Sequence, residues 1–166
     1  MSKSKVASRI LRRLCSFWAL FGGGLLLVIM AVTSVNAAAF LLDRLVQTFG
    51  VRVAGLSGFE DFVALVIGTV ATSFMPWCQL NRGHLAVHLF GGTKSNWRGW
   101  DVIGFVVVCF LTWSLILGLI ETAQDGTRTP ILGWDVWPFM IAPVISLSLW
   151  ALVLAFQIFE RDNVVA

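Results

Sequence analysis

Apolar residues run almost unbroken through four stretches of this chain, at about 17–40, 61–80, 102–120 and 136–159. A helix of about twenty residues crosses the roughly 30 Å hydrocarbon core of a bilayer, and each stretch is close to that length or longer. Polar residues gather between them. Asp43, Arg44 and Arg52 follow the first stretch, Asn81 and Arg82 follow the second, and Glu121 and Asp125 follow the third. The pattern predicts an all-α integral membrane protein with four transmembrane helices, forming a single membrane domain over residues 1–166. Ahead of the first span, Val6, Ala7, Ile10, Leu11 and Leu14 recur at helical spacing with Lys and Arg mostly opposite. This predicts an amphipathic basic N-terminal segment lying on an anionic membrane surface. Pro76, near the far end of the second span, is expected to kink or end that helix.

The most information-rich polar stretch follows Pro76. On a helical wheel Asn81, His84 and His88 fall within one narrow arc, with Leu85, Leu89 and Phe90 elsewhere. This predicts a short interfacial helix after the second span, holding both histidines of the chain.

Composition sharpens the picture. The chain is 58% hydrophobic and only 13% charged, against about a quarter charged for soluble domains. Of twelve Lys and Arg residues, Lys3, Lys5, Arg9, Arg12 and Arg13 lie before the first span. A flanking membrane span explains this cluster without nucleic acid. With the N-terminus cytoplasmic, nine basic residues fall inside and three (Arg44, Arg52, Arg128) outside. The positive-inside bias therefore places both termini in the cytoplasm. Trp77, Trp97, Trp100, Trp134 and Trp137 sit near span ends, as an interfacial belt requires. Asn36-Ala37-Ala38-Ala39 has the small residues of a signal cleavage site. The apolar region before it is longer than a signal core of about 7–15 residues, so a retained helix is expected. Gly22, Gly23 and Gly24 offer a flat surface for helix approach.

The chemistry expected of this chain is sparse. The middles of the four spans carry no Asp, Glu, Lys, Arg or His, whereas a transporter working alone usually needs such groups or a broken helix near mid-membrane. Thr33, Ser34, Asn36, Thr69, Thr72, Ser73, Thr112, Ser114, Ser146 and Ser148 read as partners in interhelical or backbone hydrogen bonds. Cys15, Cys78 and Cys109 form no C-x-x-C pair and are expected to be free thiols. His84 and His88, four residues apart, could face one metal or haem, but a third ligand of diagnostic spacing is missing. No Walker loop, G-x-S-x-G or H-E-x-x-H occurs. No internal repeat is evident. The expected reading is a protein that is not an enzyme, with no catalytic, substrate-binding or metal residues and no cofactor. A small haem- or metal-binding membrane protein using His84 and His88 is one alternative, and a self-assembling channel or efflux protein is another.

Gln79-Leu80-Asn81-Arg82-Gly83-His84-Leu85-Ala86-Val87-His88-Leu89-Phe90 resembles the signature of the small membrane subunit (DctQ-like) of tripartite ATP-independent periplasmic (TRAP) transporters. There an arginine, then glycine–histidine–aliphatic, valine, an acid and two apolar residues follow the second span. Arg44, Gly58-Phe59-Glu60, Gly68 and Thr129-Pro130-Ile131-Leu132-Gly133 are similar to the family pattern in order. The resemblance covers roughly 17–160. Two positions depart from it. His88 stands where an acid is usual, and Gly133-Trp134-Asp135 stands where the family tends to read Gly-Ile-Pro.

The resemblance implies sodium-coupled symport of organic acids or related carboxylates across the bacterial inner membrane. In that family a periplasmic substrate-binding protein delivers the substrate. A large multi-span subunit holds the substrate and sodium sites and moves like an elevator, while the small subunit is a fixed scaffold beside it. On that implication, Arg82, His84, His88, Glu60, Trp97 and Trp100 are candidates for interfacial or subunit contact. Arg82 and His84 are expected to fix the segment after the second span at the interface, and Glu60 to lie near the periplasmic partner.

Overall fold

The chain folds as five α-helices, and the computed structural model describes the backbone of residues 3–47, 55–81 and 97–165, with side chains over 9–47, 55–81 and 101–159. They are α1 (Lys3–Val46), α2 (Phe59–Ser73), α3 (Met75–Leu80), α4 (Trp97–Asp125) and α5 (Trp137–Val165). Four helical segments are long and apolar enough to cross a membrane: Arg9–Val46, Phe59–Leu80, Asp101–Asp125 and Trp137–Phe159. This is the architecture of a membrane protein, and no strand occurs among the described residues.

The spans match the apolar stretches closely except at the first. α1 continues well past both ends of the expected 17–40 span, because no proline interrupts it and Lys and Arg are good helix formers. At 1.5 Å per residue its 44 residues measure about 66 Å. The basic segment at 3–14 is therefore the first three turns of α1 rather than a separate element. The expected interfacial helix, with Arg82, His84 and His88, lies outside the described residues.

Pro76 acts as its chemistry requires. It has no N–H to give the carbonyl of Thr72, so α2 stops at Ser73 and Phe74 forms a turn. α3 then starts at Met75 with Pro76 in its first turn, where a missing donor costs nothing. Cys78 N–H donates to Phe74 O across the break at 2.9 Å.

α5 is the centre of the bundle. It packs on α1, α2, α3 and α4, whereas α4 touches no helix but α5 among the described residues. α1 and α2 lie antiparallel in a regular register. Gly22 meets Ser73, Ile29 meets Val66 and Val70, and Asn36 reaches the backbone at Leu56. Ile29, Val66 and Val70 are the buried apolar centre, flanked by Leu25, Phe62 and Phe139. The glycine triplet contributes one residue to this contact. A Cβ on Gly22 would overlap the Ser73 side chain, while Gly23 and Gly24 face open space.

The hydroxyls within the spans mostly bond back to their own helices. Thr33 donates to Ile29 O at 2.8 Å, Thr72 to Gly68 O at 2.9 Å, Thr112 to Val108 O at 2.7 Å and Ser148 to Val144 O at 2.8 Å. Polar bonds between helices are few and specific. Trp18 Nε1 donates to Ser146 Oγ at 2.7 Å, joining α1 to α5. Gln79 Nε2 donates to Gln157 Oε1 at 2.9 Å, and Gln157 Nε2 returns a bond to Gln79 O at 3.0 Å, joining α3 to α5. Gln79→Leu alone is expected to lower stability by about 0.5–1 kcal/mol. Gln79→Leu with Gln157→Leu should recover most of that, since an orphaned polar atom costs more than an absent pair. Thermal unfolding in detergent measures both.

Candidate functional site

The most heavily bonded polar cluster lies at one end of the bundle, where the entry to α2 meets the loop between α4 and α5. Gly58 caps α2 with φ 85, a left-handed conformation that glycine adopts without a Cβ penalty. A second constraint acts on the same atom, because a Cβ on Gly58 would lie 2.7 Å from Leu132 Cδ2. Gly58→Ala is expected to cost about 1–3 kcal/mol from backbone strain. The displacement of Leu132 adds to this. The loss should appear as a lower melting temperature with helix content unchanged at low temperature.

Two residues after the start of α2, Asp61 turns its carboxylate away from its own helix. Asp61 Oδ2 accepts the backbone N–H of Ile131 at 2.8 Å and of Leu132 at 2.8 Å. Asp61 is buried, at 7% exposure, although it belongs to a helix-opening pair of acids. Two short bonds to a charged acceptor are the arrangement that satisfies a carboxylate away from water. Its neighbour Glu60 is exposed. Two acids at the start of a helix ordinarily favour its dipole, but the carboxylate of Asp61 is engaged by the loop instead. Asp61 is a clasp between α2 and a loop seventy residues further along.

That loop is preorganised by its own bonds. Thr129 N–H donates to Trp134 O at 2.9 Å, and Trp134 N–H donates to Thr129 Oγ1 at 3.0 Å. Gly133 N–H donates to Thr129 O at 3.1 Å, with Gly133 at φ 66. Arg128 Nε and Asp135 Oδ1 form an exposed ion pair at 2.9 Å. Exposed pairs of this kind contribute little energy, so the backbone bonds and Asp61 carry the loop's shape. Trp134 stacks parallel to Phe139, with centroids 6.1 Å apart.

These contacts bring together two motifs that are far apart in the chain, Gly58-Phe59-Glu60 and Thr129-Pro130-Ile131-Leu132-Gly133. Gly133-Trp134-Asp135 also has a local role, through the Trp134 stack and the Asp135 ion pair. Of the sequence-derived candidates, Glu60 stands at the edge of this cluster. Trp97 and Trp100 open α4. Arg82, His84 and His88 lie outside the described residues. Sequence reasoning missed Asp61 as a contact, because a spacing of seventy residues leaves no local signal. The glycine at the helix cap beside an acid was the one hint.

The polar atoms of the cluster are engaged by bonds within it. Its one buried carboxylate is occupied by backbone donors, and no group of three metal-ligating side chains occurs among the described residues. The three cysteines are free, with Cys15 buried and Cys109 exposed on α4. An open apolar groove of about 350 Å³ runs between α2 and α4 with α5 as its floor, lined by residues including Ala64, Gly68, Thr72, Leu115 and Met140. What the arrangement can do is hold shape: a rigid polar cap on an apolar bundle. No protein-family model, curated protein or solved structure matches the chain.

Proposed function

We propose that this chain is the small, non-catalytic scaffold subunit of a binding-protein-dependent secondary transporter of the TRAP type, embedded in a bacterial inner membrane. One observation carries the reading: the apolar spans keep their polar groups for their own packing and carry no Asp, Glu, Lys, Arg or His in their middles. A chain of this kind offers a charged substrate no stepping point. It suits a fixed element that widens the footprint of a moving partner in the bilayer.

On this reading the cap built on Asp61 faces the periplasm and the end with Gln79 faces the cytoplasm, following the nine-to-three distribution of basic residues. Sodium and the organic acid bind in the large subunit, and Glu60 lies on the face turned to the substrate-binding protein. Arg82 and His84 fix the segment after the second span at the cytoplasmic interface.

The test is assembly followed by uptake. Affinity-tagged chain taken from its native membrane should retain a larger multi-span protein, identified by mass spectrometry. Liposomes holding both should accumulate an organic acid with a sodium gradient and the binding protein present. Liposomes holding this chain alone should not. Uptake by the lone chain would overturn the proposal, and so would a purified chain with a Soret band or stoichiometric metal lost on His84→Ala.

A further inference from the structure

We propose that the outer face of α1 is the surface on which the partner docks, and that its occupant is a membrane-spanning helix of a different, larger protein. The inference rests on the membrane partner proposed above and assigns the surface it uses. It starts from register. Gly22 lies at the level of Ser73, Ile29 at the level of Val66 and Val70, and Asn36 Oδ1 accepts Leu56 N–H at 3.0 Å just before α2 begins. The rod made by α2 and α3, Phe59–Leu80, has 22 residues and measures about 33 Å, which matches a hydrocarbon core of about 30 Å. Its Asp61 end is marked by Glu60, Asp61, Glu121, Asp125 and Asp135.

α1 does not stop at that level. It runs on from Asn36 to Val46, about 15 Å further. The headgroup layer adds only about 5–8 Å on each side of the core. Tilting α1 by itself into the bilayer is opposed by the contacts that hold it along α2 at Gly22, Ile29 and Asn36. Yet this extension is apolar on the side away from its own chain. Phe40 faces Gly55, whereas Leu41 and Leu45 point outward, 65% and 69% exposed. Lipid tails cannot cover them at that height; protein can.

The same face continues down through the membrane. Leu41 and Leu45 share one helical arc with Ala38, Ser34, Ala31, Leu27 and Leu20, all exposed. Small residues between large apolar ends let a second backbone approach closely. The stripe ends at exposed Arg13, beside exposed Arg9 and Arg12. A second copy in the same orientation would set Arg13 against Arg13 within two basic clusters, and like charges directly opposed are repulsive. A helix from another protein, neutral or acidic at that height, meets no such conflict. α4 is also bare, but its exposed face lies within the depth lipid covers, so it needs no protein.

The experiment is site-specific photocrosslinking of the full chain in its native membrane. A photoreactive residue is placed at Leu27 or Leu41 on α1, and at Val106 or Phe110 on α4. Adducts from both α1 sites to one larger multi-span protein, identified by mass spectrometry, are expected, with none from α4. Leu41→Glu with Leu45→Glu, which changes only the part beyond the membrane, should reduce copurified partner about tenfold, the effect of losing about 1.4 kcal/mol. Adducts from α4 but not α1, or undiminished copurification with the double variant, overturn the inference and leave the scaffold reading standing. An adduct of twice the chain's own mass assigns the face to a second copy and overturns it. Absence of any copurifying membrane protein removes the scaffold reading and this inference together.

Discussion

Gly22→Ala is expected to destabilise the bundle by about 1–3 kcal/mol, the range for an added methyl group in a tightly packed contact. The added Cβ would overlap Ser73 Oγ and Cβ, and Ser73 cannot move aside. It is fully buried, and its hydroxyl donates to Val70 O at 2.8 Å. Phe74 lies just beyond it, at the turn where α2 gives way to α3. α1 must therefore lift away from α2, loosening the cluster of Ile29, Val66 and Val70 one to two turns along. Gly23→Ala and Gly24→Ala face open space and should be neutral or slightly stabilising, since alanine is the better helix former by about 1 kcal/mol. Gly22→Ala with Ser73→Gly should regain much of the lost packing. Melting temperatures of the four variants in one detergent separate these outcomes. Equal effects at all three glycines would mean that helix propensity rather than contact governs this stretch.

The contrast among these glycines shows what the sequence could convey. Four apolar stretches, Pro76 and the spacing of polar residues were enough to predict four membrane-crossing helices and an interruption of the second near Pro76, because length, periodicity and proline chemistry are local properties. The extent of α1 was not legible. Membrane thickness limits a span to about twenty residues, but nothing in the chain stops a helix at the membrane surface, and α1 runs to Val46. Which glycine of the triplet touches α2 depends on how α1 is rotated. Rotation is set by the whole interface, from Trp18 against Ser146 to Asn36 against Leu56.

The polar cap was legible only in pieces. Gly58 beside two acids announces a helix start, and Thr129-Pro130 followed by Gly133 announces a turn. That the pieces bind each other follows from the fold: α5, packed against α2, carries the loop before it to the head of that helix. Glu60 and Asp61 illustrate the limit. They are adjacent acids in the first turn of α2, yet one residue of helical rotation leaves Glu60 exposed and buries Asp61. The local partners of Trp134 and Asp135 were not legible either: the stack on Phe139 and the ion pair with Arg128 appear only in the folded loop.

Asp61→Ala should release the loop while leaving the four spans intact. The substitution removes the acceptor for the amides of Ile131 and Leu132, and leaves two donors in a part-buried site with no alternative partner built for them. The bonds that Thr129 exchanges with Trp134 and accepts from Gly133 N–H remain, so the loop should keep its turn but lose its seat on α2. Amide exchange at Ile131 and Leu132 is expected to accelerate by about one to two orders of magnitude, with exchange in the middle of α5 unchanged. Asp61→Asn keeps a neutral oxygen in place and should lie between, because a charged acceptor bonds roughly twice as strongly as a neutral one. Asp61→Glu should fail nearly as badly as alanine, since two 2.8 Å bonds to one oxygen leave no room for another methylene. Glu60→Ala, on the exposed side of the same turn, supplies the control and should leave loop exchange unaltered. If Asp61→Ala left both amides protected, the loop would be held by its own turn and by Leu132 packed over Gly58, and Asp61 would be only a passenger in the cap.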